Sequence, residues 1–303
     1  MTLFLRSIYL ASALSVFYIL LLYRSNPLRR LPTTTITVAF ALGMLTVVPL
    51  VLVRSVFPSG DAGSAFSAYV NAGLVEEGFK FLVMLLTIWR LRFPDIAEPL
   101  DFAIYFGVLG VGFGIYEDFW YIFGGSYGAW TAGDISRFNE LYREIVFARA
   151  FPGHILFDGL AGCLVGYAYF AEGTRKVAWL AGGFILAVAL HGSFNVIAVA
   201  GGTIPLLAYV LFLVGGFLLF RQQALSSSPF SAVIRLVNGE GSEWPYRKSP
   251  VDYLFTEGFA WPGKARGGMF QIYPVLLSLL ILYPLLVATV YVASRVLIRI
   301  VGL

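Results

Sequence analysis

Two adjacent glutamates, Glu76 and Glu77, sit inside the apolar run N-A-G-L-V-E-E-G-F-K-F-L-V-M-L-L that extends from Asn71 to Leu86, with Lys80 close behind. A charge near the centre of a bilayer costs at least about 2.5–3.5 kcal/mol on insertion scales, so this concentration of charge implies a partner or a reaction. On a helix Glu76 and Lys80 stand four apart and share a face. Glu77 then points about 100° away. The spacing therefore predicts one carboxylate paired with Lys80 and its neighbour turned to the bundle interior. Three later apolar stretches carry the matching polar groups. G-F-G-I-Y-E-D places Phe113 and Glu117 on one face; H-I-L-F-D places Asp158 one turn after His154; H-G-S-F-N places Asn195 one turn after His191. These are the only two histidines in the chain. An imidazole that works as ligand or acid–base group needs its second nitrogen held by an acceptor, and Asp158 and Asn195 are the nearest candidates in sequence. A lone histidine in a span is usually a helix contact, and FxxxE or HxxxD pairs arise by chance. Four polar clusters on four consecutive spans, covering both histidines, point instead to a built site.

The elements that position these residues are membrane helices. Of the 303 residues 59% are hydrophobic and 13% charged, with a mean hydropathy of +0.81. A soluble domain carries roughly 25% charged residues. The apolar residues arrive in blocks of about 18–25, the length that crosses a hydrocarbon core of about 30 Å. Weakly alternating strands of an outer-membrane barrel are a different pattern. The fold class is therefore all-α, a polytopic membrane bundle of about eight transmembrane helices. The expected spans are about 5–23, 34–56, 66–89, 100–123, 148–171, 177–200, 203–220 and 271–294. This divides the chain into a bundle over 1–220 with its catalytic core at about 66–200, a cytoplasmic polar segment over 221–270 and a final span within 271–303. The first run, Ile8–Tyr23, lacks a small-residue cleavage pattern and reads as an uncleaved span rather than a signal peptide.

The basic residues gather in the odd-numbered connections: Arg24, Arg29 and Arg30; Arg90 and Arg92; Arg175 and Lys176; and six in the long seventh connection, among them Lys264 and Arg266. The positive-inside rule puts these in the cytoplasm and the N-terminus outside, in a multi-pass protein of the plasma membrane, with Arg295 and Arg299 running mildly against it. The net charge of +4 is thus a topology signal and gives no reason to expect a nucleic-acid partner. The lone Cys163 excludes an intrachain disulfide and a cysteine-rich metal site. Asp134–Ala148 begins with an N-cap aspartate and repeats Ile135, Phe138, Tyr142 and Ile145 at helical spacing, as either an interfacial helix or a solvated linker helix would. Gly107, Gly110 and Gly114, and again Gly159, Gly162 and Gly166, form small-residue stripes that let helices approach closely in lipid.

The set Glu76-Glu77-x-x-Lys80, Phe113-x-x-x-Glu117, His154-x-x-x-Asp158 and His191 resembles the motifs of the PrsW family of intramembrane peptidases, itself similar to the CAAX prenyl endopeptidase-like and bacteriocin-processing membrane proteins. The resemblance covers roughly Asn71–Ala200. His191-x-x-x-Asn195 resembles the last motif of the wider group, whereas Glu117 stands where that group usually has histidine, which favours PrsW over the prenyl-protein peptidases. The resemblance implies proteolysis of a single-span, membrane-anchored protein within the lipid bilayer, an anti-sigma factor in bacterial members, cut on its extracytoplasmic side.

Peptide hydrolysis needs an activated water, oxyanion stabilisation and an acid for the leaving amine. No Ser-His-Asp set is present, since Ser193 stands only two residues from His191. Two versions fit the residues. In one, His154, His191 and Glu117 bind a divalent ion such as zinc, and Glu76 or Glu77 activates its water. In the other there is no cofactor: one of the paired glutamates is itself the base, and a histidine stabilises the oxyanion. The competing class is a proton- or ion-coupled transporter built on the same buried Glu and His residues, or a non-catalytic scaffold. The chain shows neither an internal repeat nor a broken-helix pair, and a scaffold has no need of tandem glutamates with both histidines.

Overall fold

The computed structural model describes residues 3–29, 31–56, 64–90, 96–200, 202–240, 244, 246 and 248–255. Among them every regular element is helical, as the composition requires. Helix α1 (Leu3–Ser25) is followed by α2 (Thr33–Leu45) and α3 (Val47–Val56). The last two run on through Thr46, whose N–H still bonds Leu42 O. Pro49 explains the interruption: it lacks an N–H and its ring crowds the carbonyl of Leu45. Helix α4 (Val75–Leu85) is flanked by wider π-helical turns, Ser67–Leu74 before it and Leu86–Arg90 after it. Then come α5 (Pro99–Thr131), α6 (Ile135–Arg149), α7 (Gly153–Phe170), α8 (Gly173–Ala200) and α9 (Thr203–Ser226). Two short helices, α10 (Pro229–Val237) and α11 (Pro250–Phe255), end the described chain.

Among the described residues five stretches are long and apolar enough to cross a membrane: α1, α2 with α3 as far as Arg54, α5, α8 and α9. The stretch centred on α4 and helix α7 fall outside that set, and these are the elements that carry Glu76, Glu77 and Lys80 and His154 and Asp158. Their polar cargo is what lowers their hydropathy. The expected eighth span, 271–294, lies outside the described residues, as do Lys264, Arg266, Arg295 and Arg299. Helix α9 continues to Ser226, so the polar segment expected from residue 221 begins within a helix. Its described part folds: Phe230, Val233 and Tyr253 bury themselves with Leu28 and Ala97 in a small satellite core.

Helix α5 is the axis. Its apolar window is 89% buried, against 28% for α1 and 17% for α9. Pro99 at its first position and a reciprocal Glu98–Asp101 capping box fix its start. At 33 residues it is about 50 Å long at 1.5 Å per residue, well beyond the ~30 Å hydrocarbon core. The glycine stripes let its neighbours close in. A Cβ on Gly162 of α7 would stand 2.6 Å from Phe102 O, and one on Gly110 of α5 would overlap the Asp158 carboxylate. Backbone-to-backbone contact of this kind brings the α7 side chains onto the α5 face that carries Phe113 and Glu117.

Helix α6 forms where the spacing predicts, with the Asp134 side chain accepting from Arg137 N at 2.9 Å. It does not lie flat at an interface. The chain turns at Gly133 (φ 71°), and the α6 residues then meet α5 in reverse order: Phe138 against Trp130, Ile145 against Gly125, Arg149 against Glu117 and Asp118. Phe138 is the buried residue of this face, while Ile135 is 57% exposed. The α5–α6 hairpin returns the chain to the level of Glu117.

Candidate active site

Lys80 lies at the centre of the polar cluster. It is fully buried, and its Nζ donates to Glu77 Oε1 at 2.7 Å and to Asp158 Oδ2 at 2.8 Å. It stands 3.3 Å from His154 Nδ1 and 5.0 Å above the Phe113 ring. The i,i+4 pairing of Glu76 with Lys80 is therefore not the one formed; Lys80 pairs at i,i+3 with Glu77. Asp158 decides this. It reaches across the gap left by Gly110 on the Glu77 side of α4, and the ammonium goes where it satisfies two carboxylates at once.

Glu77 in turn holds His191, whose Nδ1 is 2.6 Å from Glu77 Oε1. An ionised carboxylate only accepts, so Nδ1 carries a proton, and in the neutral ring Nε2 presents its lone pair. That Nε2 faces Glu76 Oε2 at 3.8 Å. Thus Glu77, from another helix, does for His191 what the spacing assigns to Asn195, which lines the cavities instead. Asp158 reaches His154 through Lys80. The second imidazole is fixed by the Phe113-x-x-x-Glu117 motif: His154 Nε2 meets Glu117 Oε2 at 2.9 Å. The two rings stand edge to face with centroids 4.8 Å apart, and Phe157 stacks on His191. Arg54 bonds Glu76 Oε1, while Oε2 is buried without a hydrogen-bond partner. Glu76, His154 and His191 each offer a donor atom within 4.8 Å of the others.

Two cavities meet at this cluster. A chamber of about 40 Å³ is bounded by His154, His191, Gly114 and Glu117, enough for a water or a small ion. A cleft of about 360 Å³ is bounded by Glu76, Arg54, Glu117 and Tyr121. Glu117, Arg149, Phe194 and Asn195 border both. Arg149, delivered by α6, donates Nε to Asp118 Oδ1 at 2.6 Å and Nη2 to Glu117 Oε2 at 3.1 Å.

Residues 31–220 match the family model described as PrsW family intramembrane metalloprotease. The chain belongs to the PrsW family. It is 25% identical over 192 residues to Protease PrsW of Bacillus subtilis (strain 168), covering 62% of this chain and 78% of that protein. To Protease PrsW of Shouchella clausii (strain KSM-K16) it is 28% identical over 195 residues, covering 63% and 83%. To Protease PrsW of Clostridioides difficile (strain 630) it is 25% identical over 186 residues, covering 57% and 72%. No solved structure matches. This PrsW-family chain is accordingly a multi-pass membrane protein and an intramembrane protease, and the transporter and scaffold readings fall away.

The family description implies a metal, and the cluster suits one. Glu76 Oε2 is an orphaned buried oxygen beside the lone pair of His191 Nε2, and two imidazoles with a carboxylate form a recognised catalytic set. The carboxylate whose donor atom lies with both imidazoles is Glu76, where the sequence pattern suggested Glu117. Both nitrogens of His154 are engaged, Nε2 by Glu117 and Nδ1 by Lys80, so ligation by His154 exchanges one of these bonds.

Three site residues escaped the motif reading: Arg54, Asp118 and Arg149. Arg54 and Asp118 had the same signal as Glu76, an ionisable group within an apolar span. Arg149 stood only at the edge of the expected span 148–171, as the last residue of the polar-faced α6, and the hairpin is what brings it to Glu117.

Proposed function

We propose that the protein hydrolyses a peptide bond of a single-span membrane protein, of the anti-sigma-factor type, at the non-cytoplasmic face of the plasma membrane. The observation that carries this reading is the convergence of Glu76, His154 and His191 beside a water-sized chamber that adjoins a peptide-sized cleft. These three residues would hold a divalent ion such as zinc. When bound, the ion polarises a carbonyl and acidifies water. Glu77 orients His191 through Nδ1, while Lys80 donates to both Glu77 and Asp158 and holds them in place. Glu117 borders both cavities and acts as the proton carrier. It takes the proton released as water adds to the carbonyl carbon and returns it to the amide nitrogen as the C–N bond breaks.

The roles of Glu76 and Glu77 thus separate: Glu76 faces the reaction and Glu77 supports it. Purified wild-type protein is expected to contain near-stoichiometric zinc and to lose both metal and cleavage on treatment with 1,10-phenanthroline. Glu76→Ala, His154→Ala and His191→Ala should each lack the metal. Glu117→Gln should keep the metal and lose cleavage by about 10²–10⁴-fold, the usual contribution of a general acid–base group. Full chelator resistance in a zinc-free, active preparation would refute the metal role. Normal cleavage by a Glu76→Ala, Glu77→Ala double variant would refute the site itself.

A further inference from the structure

The cleft beside Glu76 has a built shape that the hydrolytic cluster does not explain. One wall is the π-helical turn Ser67–Leu74, locked from behind by α8. Gly192 lies directly under the Tyr69 ring, a Cβ on Gly73 would stand 2.8 Å from Val188 O, and Tyr69 Oη shares a 2.8 Å hydrogen bond with Ser193 Oγ. With that face fixed, the opposite one presents Ser67, Ala68, Asn71 and Ala72 to the cleft. The lining from the other helices includes apolar Ile145, the buried Leu206 and Val199, which is 68% exposed. The inner end is polar, with Glu76, Glu117 and Arg149. The cleft therefore joins apolar lining to the hydrolytic groups, with small side chains on one wall and hydrogen-bonding groups spaced along it.

A scissile amide cannot be attacked while wrapped in a helix, and non-helical backbone at membrane depth is tolerated only where protein or water satisfies it. Ser67, Asn71, Arg54 and Arg149 supply such partners here. We propose that this cleft binds the substrate as an unwound stretch of polypeptide, and that the small wall formed by Ala68 and Ala72 seats a bulky apolar side chain next to the bond that is cut. The inference rests on the protease reading and adds a specificity to it. A pocket wall of this kind discriminates by about 10–200-fold for a change of one or a few methylenes.

The test compares new protein N-termini in membranes of cells expressing the full chain or its variants at matched levels. Termini that disappear in Glu76→Gln are the products of this enzyme. Phe, Leu, Ile or Met is expected at one fixed position beside the cut. Ala72→Phe should lower those products at least tenfold while sparing or enriching cuts beside Gly, Ala or Ser. Leu206→Ala, which enlarges the facing wall, should do the reverse and admit larger aromatic residues, a gain that misfolding cannot produce. Wild-type cut sites with no side-chain preference, or unchanged sites and yields in both Ala72→Phe and Leu206→Ala, would overturn the proposal while leaving the protease reading intact. Absence of any Glu76-dependent terminus would overturn both.

Discussion

Lys80 is a cation with 0% exposure held between two carboxylates of equal burial, and its energetic position is one-sided. The ion pair as a whole contributes little over an apolar replacement, but removing one partner strands the others in a low-dielectric interior, at a cost of about 3–5 kcal/mol. Lys80→Met leaves Glu77 and Asp158 facing one another, frees His191 from a fixed Glu77 and removes the contact to His154 Nδ1. Thermal unfolding in detergent should show that loss, with cleavage abolished. The double variant Lys80→Met, Asp158→Leu should recover much of the stability and none of the activity. A Lys80→Met protein as stable and active as wild type would show that the ammonium is not the hub. At this scale the sequence was informative about membership and poor about pairing. The expense of a charge in a span marks Glu76, Glu77, Lys80, Glu117, His154, Asp158 and His191. Which carboxylate Lys80 chooses depends on Asp158, 78 residues away in a different helix, and helical spacing carries no information about that.

Among the elements, the α5–α7 pair bears the geometry of the site, because it sets the distance between Glu117 and His154. The stripes that allow it were readable from spacing alone. The same spacing did not separate glycines that touch backbone from glycines that face open space. Gly162 belongs to the first kind, since a Cβ there would meet Phe102 O at 2.6 Å and Ala103 Cα at 3.0 Å. Gly215 on α9 belongs to the second, with nothing within 4 Å. Gly162→Ala should therefore cost about 1–3 kcal/mol through overpacking and lower cleavage by shifting α7. Gly215→Ala should be neutral or stabilising by up to about 1 kcal/mol, as expected of Gly→Ala in a helix interior. Unfolding midpoints of the two proteins in one detergent decide it, and equal effects would refute the packing account. The reverse course of α6 was not legible. Its periodicity identified Phe138 as an apolar-face residue, but amphipathicity shows only that a face is covered, and lipid or α5 could have covered it.

For the molecule as a whole, the open question is which end of the bundle faces out. The two ends differ in chemistry. At one, Arg29 pairs with Asp101 in the first turn of α5, Asn26 bonds Glu98, and α10 covers them. At the other lie Arg54, the start of α7 with His154 as its second residue, and the α5–α6 hairpin. Asp101 and Glu117 are about 24 Å apart along α5 at 1.5 Å per residue, so the hydrolytic cluster belongs to the hairpin end. The basic connections gather at the Asp101 end. Arg29 weakens as a topology signal, because it is 3% exposed and committed to Asp101, but Arg24, Arg175 and Lys176 are not bound by that pair. On the positive-inside rule we propose that the Asp101 end lies in the cytoplasm and that the cleft opens outward. Labelling can decide this cleanly, because Cys163 is the chain's single cysteine and is 1% exposed. Ala132→Cys in the hairpin turn and Ser226→Cys at the end of α9 both place a thiol at an exposed position. A membrane-impermeant maleimide added to intact cells should label Ala132→Cys and leave Ser226→Cys unlabelled until the membrane is permeabilised. The opposite pattern would turn the molecule over, putting the hydrolytic cluster and the cut on the cytoplasmic side.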